Sequence, residues 1–454
     1  MVGSGIYIVS AQIARDAGAP GPLLLVWVLS GAVTVMGALT YGELAALFPD
    51  AGGQYVYLRE GISPLFGYLY GWTLFVVIQT GTIAAVAVAF ARFVAVLVPG
   101  LAATVFAGGT IGFPPPVGPI TIGLSPQRLL AIASIVLLTW INVRGVRTAA
   151  RIQTSLTAIK VASLAGLVGC GLLAGRHAAG LAQNFGPHFW PHGSTPGLSV
   201  VAASMVGSLF AMDAWNNVGF AGGELEHPTR DLPFAMGVGV LAVTVLYLLA
   251  NLAYLVVLPL AAIAGAAEDR VGTAALQASL GAPGATLMAL AIAVSTFGCN
   301  NGLILSGARV YYAMARDGLF FQGAGRLAPE TKTPAWALVA QAVWTCVLCL
   351  SGTYEQLLNY VIFAALLFYC LTAAALFLLR RRRADAARPV RVPGYPIVPA
   401  LYLIATALIA GSLIFVKTTY SALGLACVLL GVPVYFVWRA LSGPAESAGS
   451  RRAA

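Results

Sequence analysis

Ten long apolar runs follow one another along the chain, separated by short polar stretches: Pro22 to Phe48, Leu65 to Val98, Gln127 to Val143, Ile152 to Ala174, Pro233 to Leu258, Ala285 to Ala313, Ala335 to Ser351, Leu357 to Leu379, Ile397 to Phe415 and Ala422 to Trp438. About 30 Å of hydrocarbon requires roughly 20 residues of helix, so these read as spanning helices. Two stretches depart from the pattern. The N-terminal MVGSGIYIVSAQIARDAG is too short to cross and can form only half a spanning helix. Ser208 to Pro233 begins apolar, places Asp213, Asn216 and Asn217 at bilayer depth, and ends in a charged, proline-bounded loop, so it should break in the middle. Freed backbone groups find no water in lipid, and a broken helix persists only where it lines a cavity. Counting both, the expectation is twelve spans, the first lacking its cytoplasmic half.

Composition agrees. With 59% hydrophobic residues, 9% charged residues and a mean hydropathy of +0.88, the class is an all-α, polytopic membrane protein rather than a soluble domain. The net charge of +10 is not a nucleic-acid footprint, because the charges sit in loops between apolar runs. Eighteen Lys and Arg fall in one set of loops, including Arg59, Arg144, Arg147, Arg151, Arg230 and Arg380 to Arg383. Only Arg15, Arg128, Arg176, Arg270 and Lys417 fall in the other. The positive-inside rule then places both termini in the cytoplasm. The six cysteines lie within apolar runs and read as packing residues; Cys346 and Cys349 form a C-x-x-C without ligand partners. No signal peptide is evident. Pro99 to Pro126 is expected to be an uncharged Gly/Pro-rich loop, Gly175 to Pro196 a polar loop, and the tail Ser442 to Ala454 disordered.

The two interrupted segments are the first and the sixth, five helices apart. Matching discontinuous helices in two halves point to a secondary transporter built from inverted repeats, with its substrate bound where the breaks meet. The expected organisation is one transmembrane domain over 1–440, with repeats of about 1–175 and 197–380, extra helices over about 396–440, and a tail over 441–454. Gly3-Ser4-Gly5 puts two glycines and a hydroxyl at the start of a half helix, where free N–H groups attract a carboxylate; a frayed terminus is the alternative. Asp213 could pair a substrate ammonium, bind a proton or cap the second half of the broken helix. Trp215 reads as a gate or as packing. Lys160, two turns inside its span, either snorkels or stands where a coupling cation sits. Arg92 is expected to snorkel, the Glu224 to Asp231 loop to be a structural or gating ion-pair cluster, and Arg380 to Arg391 a solvated loop touching anionic lipid. No nucleophile, metal set or phosphate loop accompanies the carboxylates, so neither an enzyme nor a cofactor is expected.

These stretches resemble the amino acid-polyamine-organocation superfamily, within it the L-type amino acid exchangers and their bacterial relatives. FAMDAWNNVGFAGGELEHPTRDLPFAM is similar to the broken sixth helix F-A-Y-[DG]-G-W-N and its following loop. STFGCNNGLILSGARVYYAMARDG, from Ser295, is similar to the eighth helix. NLAYLVVL from Asn251, Thr333-Pro334 and RPVRVPGYPIVPALY from Arg388 also fit. The resemblance implies a five-plus-five inverted-repeat fold with two extra C-terminal helices, and amino acid transport by alternating access. Gly3, Ser4 and Gly5 match G-S-G-I-F, which holds the substrate carboxylate. The carbonyls of Phe210 and Asp213 match those that receive the α-amine, and Phe210 matches an aromatic gate. The substrate-binding set it implies is Gly3, Ser4, Gly5, Phe210, Ala211, Met212, Asp213, Ala214, Trp215 and Asn216. Lys160 matches a lysine that replaces a sodium ion, which implies sodium independence.

The sequence departs from the pattern at Met212, where Tyr is usual, and at Ala214, where Gly is usual. The loop between the third and fourth spans has no cysteine, so no disulfide-linked heavy subunit is expected. Met1 falls inside the unwound segment. The expectation is therefore that an apolar half helix is encoded upstream and that the 454-residue form transports poorly. The function expected is sodium-independent amino acid transport in the inner membrane, as exchanger or proton-coupled symporter. Polyamine or other amine transport is the alternative, and a transport-inactive sensor a more distant one.

Overall fold

The computed structural model describes residues 1–98, 100–101, 103–112, 119–174, 179–191, 198–351, 354–416 and 418–441. Each apolar run is a helix. They are α2 (Pro20–Leu47), α4 (Pro64–Leu97), α5 (Pro126–Val143), α6 (Val146–Ala174), α9 (Pro228–Val257), α12 (Ala282–Arg316), α13 (Ala335–Ser351), α14 (Tyr354–Arg382), α15 (Ile397–Val416) and α16 (Thr418–Leu441). Among the described residues nine helices are long and apolar enough to cross a membrane, and α13 is slightly shorter. The two half-length segments are α1 (Gly5–Ala17) and α8 (Leu198–Met212). Several spans start on proline at their first turn, where the missing N–H costs nothing and the fixed φ favours helix. Ser125 caps α5 by accepting the Arg128 N–H at 3.2 Å.

Four shorter helices were not anticipated: α3 (Gln54–Gly61), α7 (Ala179–Asn184), α10 (Leu260–Ala264) and α11 (Val271–Leu280). The third-to-fourth connection is also more ordered than a plain loop. Ala107–Gly112 (β1) and Pro119–Leu124 (β2) pair antiparallel, Thr110 facing Thr121 and Ile111 facing Ile120. Alternating Thr and Ile were the available signal, obscured by the surrounding Gly and Pro. The proline run Pro114 to Pro116 and the tail Ser442 to Ala454 lie outside the described residues.

The first four spans each pack against the span five places later: α1 with α8, α2 with α9, α4 with α12, and α5 with α13. Small residues permit the closest approaches. A Cβ on Gly31 of α2 would lie 2.3 Å from Thr244 Cγ2 of α9, so only glycine fits there. Val28, Leu129, Trp140, Leu241, Leu287 and Leu408 are exposed, as expected of surfaces that face acyl chains rather than water.

One buried carboxylate inside this core is fully paired. Glu43, near the end of α2, has a side chain with no exposure; it receives Arg380 Nε at 2.9 Å and the Val392 N–H at 2.8 Å, with Arg388 Nε at 3.3 Å. This corrects the expectation of a wholly solvated arginine run. Arg380 and Arg388 are withdrawn from solvent because a carboxylate buried without cationic partners would be prohibitive. Arg383 reaches Glu60 at 2.6 Å, fastening the strap after α14 to α3 as well.

Candidate functional site

The two helix breaks come together. α1 begins at Gly5 with Ser4 before it, and α8 ends at Met212, after which Asp213 and Ala214 are non-helical and the chain resumes as a 3-10 segment, Trp215–Glu224. A Cβ on Gly5 would fall 2.6 Å from Ala211 Cα, so the start of one half helix abuts the end of the other with no space for a side chain. The opening N–H groups of α1 have no intrahelical partners, and the last carbonyls of α8 are similarly free. The hydroxyl of Ser4 is buried without a hydrogen-bond partner. A buried donor left unpaired costs about 1–3 kcal/mol, so this hydroxyl is suited to a ligand acceptor. On the α8 side, the Phe210 carbonyl accepts the Asp213 N–H at 3.1 Å. The Tyr247 hydroxyl lies 3.1 Å from both the Met1 and Ala211 carbonyl oxygens.

A narrow cavity opens at this junction. It is lined by Met1, Gly3, Ser4, Gly5, Phe210, Ala211, Asp213 and Ala214, with Cys299 and Leu303 from α12 and Thr82 and Val86 from α4. It therefore has donors at one end and carbonyls plus a carboxylate at the other, which suits a zwitterion: carboxylate on the N-terminus of α1, ammonium on the C-terminus of α8. A second small chamber shares Thr82, Asp213, Ala214 and Leu303 with the first. It is lined further by Gln54, Gln79, Asn216, Asn217 and Tyr369. Asp213 accepts a hydrogen bond from the Tyr369 hydroxyl. Asn216 donates to Gln54 at 2.9 Å, while Asn217 reaches Gln79 and Ser306 only at 3.4 Å.

Eight of the ten expected substrate residues line one of these chambers. Met212 and Trp215 line neither. The Met212 side chain turns to α2, where Thr34 Oγ1 lies 3.6 Å from its sulfur. The Trp215 ring packs edge-on against Tyr41 at 4.7 Å and near Tyr369 at 5.9 Å, which is packing beneath the site. Lys160 is buried and lines neither chamber. Gln79, Thr82, Cys299 and Tyr369 were not anticipated. Gln79 did carry a signal, an amide in the middle of an apolar run, the same signal that marked Asp213. The π-helical turn Leu74–Ile78 immediately precedes it and locally widens α4.

Below the second chamber lies a vestibule of about 950 Å³, lined by Arg144, Thr148, Glu224, Arg309, Tyr312, Glu330 and Lys332 among others. One stripe of α12 runs from the first cavity to this vestibule: Cys299, Leu303, Ser306, Arg309 and Tyr312 follow at spacings of three or four residues. Arg309 holds Glu224 through Nε–Oε1 at 2.6 Å and a second bond at 2.9 Å, so the loop carboxylate pairs with an arginine of α12 rather than within the cluster expected of the loop itself.

Comparison with known proteins adds sequence relationships. The profile of the amino acid permease family matches residues 1–439. The human large neutral amino acids transporter small subunit 2 is 31% identical over 444 residues, 96% of this chain and 77% of that protein. The mouse b(0,+)-type amino acid transporter 1 is 30% identical over 408 residues, 88% and 77% of the two chains. The human Asc-type amino acid transporter 1 is 29% identical over 448 residues, 97% and 80%. The first of these is by its name one subunit of an assembly. That finding runs against the expectation of no disulfide-linked heavy subunit, which rested only on the absence of cysteine between the third and fourth spans.

Proposed function

Because the chain belongs to the amino acid permease family, we propose that it carries amino acids across the inner membrane by alternating access and without sodium, as an exchanger or proton-coupled symporter. The observation that carries the reading is the junction of Ser4-Gly5 with Phe210 to Asp213, where unpaired donors and carbonyls face one another across a cavity of zwitterion polarity. Gly3, Ser4 and Gly5 take the carboxylate, and the end of α8 takes the ammonium. The substrate side chain enters the second chamber, whose amides at Gln79 and Asn217 favour groups able to hydrogen-bond. Lys160 supplies a fixed positive charge beside the site in place of a coupling sodium ion. The arginine-rich face is cytoplasmic, so the vestibule is the inner exit.

The pairing of α1, α2, α4 and α5 with the spans five places later supports two repeats, about 1–175 and 197–380, with α15 and α16 as additions. Amine or polyamine carriage is the second reading, favoured by the Asp213 carboxylate in the walls of both chambers.

Counterflow into proteoliposomes with labelled neutral amino acids, lysine and putrescine, in sodium-free buffer and with or without a pH gradient, tests both readings. The expected result is amino acid counterflow that Ser4→Ala weakens about tenfold or more in KM, because a bond to a charged group contributes about 1.5–3 kcal/mol. Putrescine counterflow insensitive to Ser4→Ala would favour the amine reading, and counterflow of none of the panel would overturn both.

A further inference from the structure

The face opposite the vestibule carries a charge cluster that substrate binding does not use. Between α10 and α11 the chain passes through Glu268 and Asp269, both in the left-handed region at φ 49° and 59°. Side chains other than glycine adopt this region at a steric cost, and two in succession persist only where their surroundings hold them. Here the holders are arginines from three places. Asp269 Oδ1 lies 2.9 Å from Arg15 NH1, which also donates to the Ala264 carbonyl at 2.7 Å. Glu268 Oε2 lies 3.7 Å from Arg270 and 3.9 Å from Arg92, and Arg92 NH1 reaches the Glu268 carbonyl at 3.3 Å.

The elements joined are those that frame the substrate cavity. Arg15 is in the last turn of α1, which Ser4 immediately precedes, roughly 16 Å away at the usual helical rise. Arg92 lies towards the outer end of α4, which contributes Thr82 to the cavity. Just beyond the cluster, Gly272 of α11 sits against Tyr7 of α1 so closely that a Cβ would lie 2.8 Å from its ring. The segment 266–272 thus lies on α1 and is tied to α4, on the side away from the open vestibule. The Arg15–Asp269 pair is solvent-accessible, with side chains 39% and 35% exposed, so attraction is modest and the left-handed backbone opposes it.

We propose that Glu268 and Asp269 form an outer lock, a releasable charge latch that keeps α1 and α4 closed on the external face while the site communicates with the vestibule. Opening separates the carboxylates from Arg15 and Arg92 and lets the two backbone positions leave the left-handed region. The inference goes beyond substrate carriage and takes from that reading only which face is external.

Cys299, in the wall of the substrate cavity, is the reporter. Cys170, Cys346, Cys349, Cys370 and Cys427 are replaced by alanine in the full chain, and an uncharged, membrane-impermeant thiol reagent is applied to right-side-out vesicles. The lock requires that Asp269→Asn and Glu268→Gln each raise the labelling rate of Cys299, by about fivefold, the order that an ion pair of this exposure supports. Arg15→Asp combined with Asp269→Arg should return the rate towards the parent value. Raising the ionic strength should accelerate labelling in the parent, since accessible charges are screened. Unchanged rates in the single variants and across the salt series would overturn the proposal. A variant that fails to fold also loses labelling through the vestibule in inside-out vesicles, and the salt series on the parent then decides. Fast labelling of the parent from outside and slow labelling from inside would refute the assigned orientation alone, and the same series on inside-out vesicles would still test the lock.

Discussion

Ala214 follows the carboxylate of Asp213 with a φ of 65°, in the region where a Cβ crowds the neighbouring carbonyl. For an L-residue this costs roughly 1–2 kcal/mol, and glycine avoids it. Ala214→Gly should therefore raise the midpoint of thermal unfolding in detergent by a few degrees, while substrate counterflow persists; an unchanged or lower midpoint would show that the methyl group contributes packing that offsets the strain. The family pattern marked this position, where glycine is usual, but the left-handed backbone that glycine would relieve is seen only in the structure. Ser4 differs: its hydroxyl next to glycines at a helix start could be read from sequence, whereas its burial without a partner required the packing of Ala211 against Gly5.

At the scale of elements, the strap following α14 shows how charge composition misleads when distance is ignored. Arg380, Arg388 and the Val392 N–H converge on Glu43, some 340 positions earlier in the chain, and Arg380 also stacks over the Tyr395 ring at 3.8 Å. Removing one member of a buried pair typically costs about 3–5 kcal/mol, because the other charge is left without compensation. Glu43→Ala is expected to lower the unfolding midpoint strongly, whereas Asp269→Asn, at an accessible pair, should shift it little. Comparable shifts for both, read by thermal unfolding of the purified protein, would mean that Glu43 does not organise the strap. The helices themselves were readable because each needs only a local apolar run. The pairing of Glu43 with its arginines was not, because nothing local marks which carboxylate an arginine will meet.

For the molecule as a whole, an amino acid permease must expose one site alternately to two sides, and each ligand shifts the balance only by its differential affinity for the two forms. This form has a narrow site, a separate vestibule on the arginine-rich face and a charge cluster on the other. Lys160 is buried within its span, and the proposal that its charge replaces a coupling sodium ion is open to a direct test. Lys160→Ala should reduce initial counterflow in sodium-free buffer by roughly tenfold or more, the size expected when a charged interaction is lost. Full counterflow in that variant would remove the lysine from the mechanism.

By itself the sequence determined the class, the spans and the two breaks, because lipid imposes a local rule: a backbone group must be satisfied within its own helix or sit at a cavity. It also marked Asp213 and Asn216 through polarity at a depth where polarity is expensive and Gly3, Ser4 and Gly5 through glycine at a helix start, while Phe210 was marked only by the family resemblance. Only the tertiary structure decided that Met212 and Trp215 turn away from the cavity, and that Gln79 and Tyr369 face its second chamber. It alone decided that Glu268 and Asp269 meet arginines from two other helices. Which face of a helix meets which partner depends on how all the helices pack at once, and that arrangement is not encoded in any local run of residues.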